Sequence, residues 1–158
     1  MTQKINGELL VKPEQRFALV IAEFNEFITT RLTESCIECF VRHGGKEAQI
    51  TQVWVPGSFE IPTAAAQLAK SGKYSAVICL GAVIRGETGH YDQVANAVSR
   101  GVADIGPSTG VPTIFGVITA DSIEQAIDRA GLKSGNAGWN AACTAIAMAN
   151  VMAKIAGK

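Results

Sequence analysis

Ala76-Val77-Ile78-Cys79-Leu80, followed by Gly81-Ala82-Val83-Ile84-Arg85-Gly86-Glu87-Thr88-Gly89-His90-Tyr91-Asp92, is the stretch on which the fold turns. The five apolar residues have no polar alternation, so they read as a strand buried on both faces, the pattern of a parallel sheet. Polar and charged residues interspersed with glycines follow. A helical pattern then begins at His90 and runs through Tyr91-Asp92-Gln93-Val94-Ala95-Asn96-Ala97-Val98. Glycines let a backbone turn sharply and bring its N–H groups close to a ligand, and a helix N-terminus carries partial positive charge. The stretch therefore reads either as an anion site with a proton carrier beside it or as an ordinary strand-to-helix connection capped by Thr88.

The same alternation extends in both directions. Upstream, Phe17-Ala18-Leu19-Val20-Ile21-Ala22 predicts a second buried strand. Asn25 is placed as the N-cap of a helix ending near His43, where Gly44-Gly45 stops it. Ile50–Val55 is a third strand. It breaks at Pro56-Gly57-Ser58-Phe59-Glu60 and leads into a helix from about Ile61 to Lys70. Downstream, Thr113–Ile118 is the fourth strand, ending in Thr119-Ala120-Asp121-Ser122. Residues 123 to 158 are helical, with an interruption at 131–138. Ahead of all this, Leu9-Leu10-Val11 supports at most a short edge strand in need of a neighbour. Four strand–helix alternations predict an open parallel four-stranded sheet with helices on both faces, a three-layer flavodoxin-like α/β fold with a short N-terminal edge strand. One domain over residues 1–158 accounts for the length.

Composition narrows the function. The chain is 47% hydrophobic and 18% charged, with 14 basic against 14 acidic residues. That is the balance of a packed globular protein, and without a basic cluster nucleic acid is not an expected partner. No apolar run is long enough to span a bilayer and the first residues lack a signal-peptide core, so a cytoplasmic location with reduced cysteines is expected. Cys36-Ile37-Glu38-Cys39 has a redox spacing but lies deep inside a helix, on the stripe of Ile28 and Leu32. It reads as core packing. Cys79 and Cys143 read the same way. His43 and His90 are far apart with no evident ligand cluster, so no metal is expected. His43 suits a helix end, whereas His90 is positioned to move protons near neutral pH.

In open parallel sheets, ligands sit beyond the carboxyl ends of the strands. Phe24-Asn25, Gly57-Ser58-Phe59-Glu60 and the 81–92 turn all fall there, which argues for one composite site. Phe24 and Phe59 suit stacking on a planar ring, and Glu60 suits either a helix dipole or a polyol. No Walker lysine or dinucleotide fingerprint is present. The pattern by itself also allows a flavin- or nucleotide-binding module on the same fold.

The chain also resembles the lumazine synthase family. The resemblance runs collinearly from about residue 5 to the end. It rests on Phe24-Asn25, Val55-Pro56-Gly57-Ser58-Phe59-Glu60-Ile61-Pro62, Val83-Ile84-Arg85-Gly86-Glu87-Thr88-Gly89-His90-Tyr91, Phe115-Gly116-Val117-Ile118-Thr119 and Ala126-Ile127-Asp128-Arg129-Ala130-Gly131. It implies a transferase of riboflavin biosynthesis, making 6,7-dimethyl-8-ribityllumazine from 5-amino-6-(D-ribitylamino)uracil and 3,4-dihydroxy-2-butanone 4-phosphate, without cofactor or metal. It also implies roles. Phe24 stacks on the pyrimidine; Ser58, Phe59 and Glu60 hold the ribityl chain; backbone groups of Ala82, Val83 and Ile84 read the uracil edge. Glu87 and Thr88 offer N–H groups to the phosphate, Arg129 clamps it, His90 moves protons, and Phe115 and Lys133 complete the pyrimidine side. Phe115, Arg129 and Lys133 would come from a neighbouring subunit of a homopentamer. Some members close twelve pentamers into an icosahedral shell of sixty subunits, and the short turn Gly131–Asn136 favours that shell here. Riboflavin synthase is a further partner the resemblance admits, and the related archaeal-type riboflavin synthase is a second alternative. Two departures stand out: Glu87-Thr88-Gly89 replaces the frequent Ala-Thr-Thr, and Gly135-Asn136-Ala137-Gly138 replaces Gly-Asn-Lys-Gly. A glutamate beside a phosphate is expected to face solvent.

Overall fold

The computed structural model describes residues 1–131 and 135–158. Four strands, β1 (Phe17–Ala22), β2 (Ile50–Val55), β3 (Ala76–Ile84) and β4 (Thr113–Ala120), pair in the order β2-β1-β3-β4, all parallel. Phe17 of β1 lies opposite both Ile50 of β2 and Ala76 of β3, and Val77 of β3 lies opposite Thr113 of β4. The two central strands are the near-continuous apolar runs. Each β1 side chain is fully buried, as is every residue of β3 up to Leu80. A strand covered on both sides has no need of polar alternation.

Side-chain alternation along the strands divides the core in two. Phe17, Leu19, Ile21, Ile78, Leu80 and Ala82 point to one face, where α1 (Glu26–Arg42), α4 (Ile123–Arg129) and α5 (Ala137–Ile155) cover them. Ala18, Val20, Ala22, Val77, Cys79 and Val83 point to the other, under α2 (Ile61–Lys70) and α3 (His90–Thr109). The swap of faces follows from handedness. The chain moves outward from β1 to β2, then reverses across β1 to reach β3 and β4. A right-handed crossover puts its helix on opposite faces for opposite directions of travel. The reversal leaves a crevice between the carboxyl ends of β1 and β3, the switch point at which such sheets bind ligands.

Close approaches hold the layers in place. A Cβ on Gly138 would fall 2.0 Å from the Leu32 carbonyl oxygen, so only glycine lets α5 lie this near α1. The CxxC pair is core, with Cys36 and Cys39 fully buried alongside Ile28 and Leu32. Residues 9–11 are not among the four strands of the sheet. Within one chain this segment is tied by the Val11 N–H donating to the His43 carbonyl (2.9 Å). The Asn150 side chain, itself fully buried, donates to the carbonyls of Glu8 (2.7 Å) and Leu10 (3.0 Å). Among the described residues no helix is long and apolar enough to cross a membrane.

Candidate active site

The switch-point crevice has a volume of about 580 Å³ and is walled by all three strand-end segments. Phe24 and Asn25 come from the end of β1, Pro56 to Glu60 from the end of β2, Ala82 to Ile84 from the end of β3, and His90, Tyr91, Gln93 and Val94 from the start of α3. Eight residues expected to share a site therefore do so: Phe24, Ser58, Phe59, Glu60, Ala82, Val83, Ile84 and His90. Phe24 is 72% exposed and Phe59 61% exposed. Two aromatic rings left in solvent at a cavity rim have not been used for packing, and each offers a face to a planar ligand.

Backbone geometry explains how the walls are held. Asn25 takes a left-handed conformation (φ 63°), the single non-glycine residue with positive φ among those described. It stands at the N-cap position of α1 without a side-chain capping bond. The expected cap is therefore corrected: Asn25 Nδ2 donates to the Ala82 carbonyl at 2.9 Å, across the switch point from β1 to β3. A tertiary bond that joins two crevice walls has taken the place of a local one. Ser58, 7% exposed, sits against Gly81 of β3, where an added Cβ would lie 2.6 Å from Ser58 Oγ. The missing side chain lets the Ser58–Glu60 turn settle onto the sheet.

The 85–90 segment forms the open end. Glu87 and Thr88 do not wall the crevice; they are exposed in the turn beside it, with the Glu87 side chain at the surface as expected. Thr88 Oγ1 accepts the His90 N–H at 3.3 Å, so Thr88 does steady the helix start. Among the described residues no protein acceptor faces the N–H groups of Gly86 to Gly89, which lie ahead of a 20-residue helix. Free N–H groups at a long helix's N-terminus favour an anion. Arg85, for which the sequence reading held no role, fixes this turn. Its Nε donates to Asp121 at 2.9 Å and its Nη1 lies 3.6 Å from Asp92. The guanidinium also covers the Tyr91 ring at 4.3 Å. The hydrogen bond to Asp121 raises the Arg85 pKa above its ordinary value.

Phe115 and Arg129 lie elsewhere. They wall a separate cavity of about 450 Å³ along β4, with Ala137, Asn140 and Thr144 of α5, and it shares no residue with the crevice. Phe115 is 43% exposed, and Arg129 Nη1 donates to the Thr119 carbonyl at 3.2 Å. Lys133 lies outside the described residues. One grouping was missed in the sequence: Cys39, His43 and Cys143 converge between α1 and α5, their ligand atoms all within 4.8 Å of one another. Cys39 on α1 and His43 at its C-terminal cap are one helical turn apart, a spacing that was legible. The third member is supplied only by packing. Burial pushes the Cys39 thiol up to about 12, with the neighbouring Cys143 adding to the effect, and burial alone does the same at Cys79.

A doubly wound parallel sheet with an aromatic-walled crevice at its switch point, beside a long helix's N-terminus, defines a flavodoxin-like α/β protein. The family model for 6,7-dimethyl-8-ribityllumazine synthase matches residues 14–153, and the chain belongs to that family. The family is a transferase of riboflavin biosynthesis.

Proposed function

We propose that the chain condenses 5-amino-6-(D-ribitylamino)uracil with 3,4-dihydroxy-2-butanone 4-phosphate to give 6,7-dimethyl-8-ribityllumazine, phosphate and water. The observation that carries this reading is the convergence of Phe24, Ser58–Glu60, Ala82–Ile84 and His90 on one switch-point crevice. In this reading the pyrimidine lies on the Phe24 ring with its edge toward the β3 backbone. The ribityl chain runs along Ser58, Phe59 and Glu60, and the phosphate sits at the free N–H groups around Glu87 and Thr88.

The chemistry needs no protein nucleophile. The substrate's 5-amine adds to the ketone and water leaves to form an imine. Loss of the proton from the carbinol carbon then expels phosphate and leaves an enol, which takes up a proton at its terminal carbon to become a ketone. The ribityl-bearing nitrogen closes the ring onto that new carbonyl with loss of a second water. His90, at the crevice end nearest the phosphate turn, is the group that takes and returns the protons. Holding two reactants in line supplies roughly 7–11 kcal/mol, whereas one general acid–base group gives about 10²–10⁴-fold. Positioning therefore dominates.

Phe115, Arg129 and Lys133 act, in this reading, on the crevice of a neighbouring copy. The separation of the Phe115–Arg129 cavity from the crevice supports that division for Phe115 and Arg129, since within one chain neither walls the crevice. We assign the assembly as a pentamer, closed into a sixty-subunit shell on the strength of the short stretch of sequence from 131 to 136, with riboflavin synthase as a candidate companion. The test is to mix both substrates with purified protein and follow lumazine fluorescence against phosphate release. Equimolar appearance of the two is expected. Riboflavin formed from lumazine alone would instead indicate a riboflavin synthase, and tight flavin retention without turnover would indicate a binding module.

A further inference from the structure

The Cys39–His43–Cys143 cluster takes no part in the proposed reaction and shares no residue with the crevice. Its dimensions are close to those of a coordination sphere. A tetrahedral zinc with Zn–S near 2.3 Å and Zn–N near 2.05 Å requires S···S of about 3.8 Å and S···N of about 3.5 Å. Cys39 Sγ lies 3.5 Å from His43 Nδ1 and 3.4 Å from Cys143 Sγ. The third pair, Cys143 Sγ and the His43 ring nitrogen, lies within 4.8 Å, so small side-chain adjustments bring all three onto one sphere.

We propose that Cys39, His43 and Cys143 bind one thiophilic divalent cation, Zn²⁺, clipping α1 to α5. Charge favours this occupant. Two thiolates and a neutral imidazole around Zn²⁺ sum to zero, so a site with a fully buried Cys39 need not hold a bare charge. On binding, both thiols release their protons to solvent, and the imidazole proton moves from Nδ1 to Nε2. That move gives up the 2.7 Å hydrogen bond from His43 Nδ1 to the Cys39 carbonyl. The carbonyl is not orphaned, because the His43 backbone N–H also donates to it at 3.1 Å. An edge-on contact with Trp139, centroids 5.9 Å apart, flanks the ring, which turns its Nδ1 from the carbonyl toward the two sulfurs on binding. His43 and Cys143 are only half-buried, which leaves a path of entry and an open fourth position for water.

The test uses the assembled, full-length protein, reduced and stripped with a chelator. Zn²⁺ is titrated in competition with a chromophoric chelator, and Co²⁺ is added separately as a spectroscopic probe. The expected result is one Zn²⁺ per chain and, with Co²⁺, a thiolate-to-metal charge-transfer band together with tetrahedral ligand-field bands. Zn²⁺ should also raise the melting temperature. Cys143→Ser should lose the charge-transfer intensity of one thiolate and weaken binding by more than the roughly 10–100-fold that loss of an outer-shell partner costs. His43→Gln should weaken it comparably, while His90→Gln, altering the other histidine of the chain, should leave it unchanged. Substoichiometric binding by the parent protein overturns the proposal, as does unchanged affinity in Cys143→Ser. If Cys143→Ser does not assemble, His43→Gln alone decides: parent-like binding by it overturns the site.

Discussion

Asn25 offers the most discriminating perturbation, because its left-handed backbone and its cross-sheet hydrogen bond can be separated. Asn25→Gly removes the 2.9 Å bond to the Ala82 carbonyl but keeps a residue at ease at φ 63°. The bond is worth about 1 kcal/mol, and the glycine adds about 0.5–1 kcal/mol through the freedom of the unfolded chain, giving about 1–2 kcal/mol. Asn25→Ala loses the same bond and also forces a Cβ-bearing residue without a compensating side-chain bond into the left-handed region, at about 1–2 kcal/mol. Its total is about 2–3 kcal/mol, so alanine should be the worse substitution by about 1 kcal/mol. At an ordinary position the order is the reverse, which makes the ranking itself the test. The measurement is the denaturant midpoint of both variants at one protein concentration, since assembly makes stability concentration-dependent. Because Phe24 and Ala82 both wall the crevice, both variants should also raise KM for the pyrimidine. An alanine variant as stable as the glycine variant would refute the account of how these walls are joined.

Three further outcomes follow from the geometry. His90→Ala should lower kcat by about 10–10³-fold with little change in KM, the signature of removing a proton carrier; an unchanged rate would remove His90 from the mechanism. Arg129→Ala should raise KM for the phosphorylated substrate at least about tenfold, because a planar guanidinium matches phosphate, and leave pyrimidine affinity alone; the opposite pattern would place Arg129 in the other subsite. The third concerns Glu8, whose pKa is held down to about 2 chiefly by its hydrogen bond to Lys154. A lowered carboxylate pKa contributes stability above the unfolded value of 4.5 and loses it as pH falls toward about 2. Amide-exchange protection of residues 8–11 should fall across that window, and Lys154→Met should flatten the dependence.

The fold was legible wherever burial alone determined it. Ala76–Leu80 and Phe17–Ala22 announced two-sided strands, and those strands occupy the centre of the sheet with both faces covered. The crevice was legible because the odd residues of three strands all fell at the same end, and parallel strands must bring those ends together. What escaped was decided by contacts between distant segments. Asn25 has the local signature of a helix cap, but the Ala82 carbonyl, far along the chain, won its side chain. Arg85 looked like one charge in a polar turn until Asp92 and Asp121 closed around it. His43 was read as a helix end without a ligand partner, although Cys39 stands one turn before it. The packing of α5 on α1 then supplied Cys143. Leu9–Val11 looked like a strand edge, and within one chain its polar groups are met instead by His43 and Asn150.

The central claim, one site built from two chains, is tested most directly by mixing His90→Ala with Arg129→Ala. Each variant alone lacks one residue in every pocket. Unfolded and refolded together at equal amounts, randomly mixed rings should regenerate both native residues in about a quarter of pockets, provided the two act as independent partners across the interface. Lumazine formation is measured against the same variants refolded apart and then combined. Activity near a quarter of the parent protein's, in the co-refolded sample alone, is the predicted result. Activity no higher than the mean of the separate variants, in rings shown by mass to be mixed, would put His90 and Arg129 in the same chain's pocket and contradict the account.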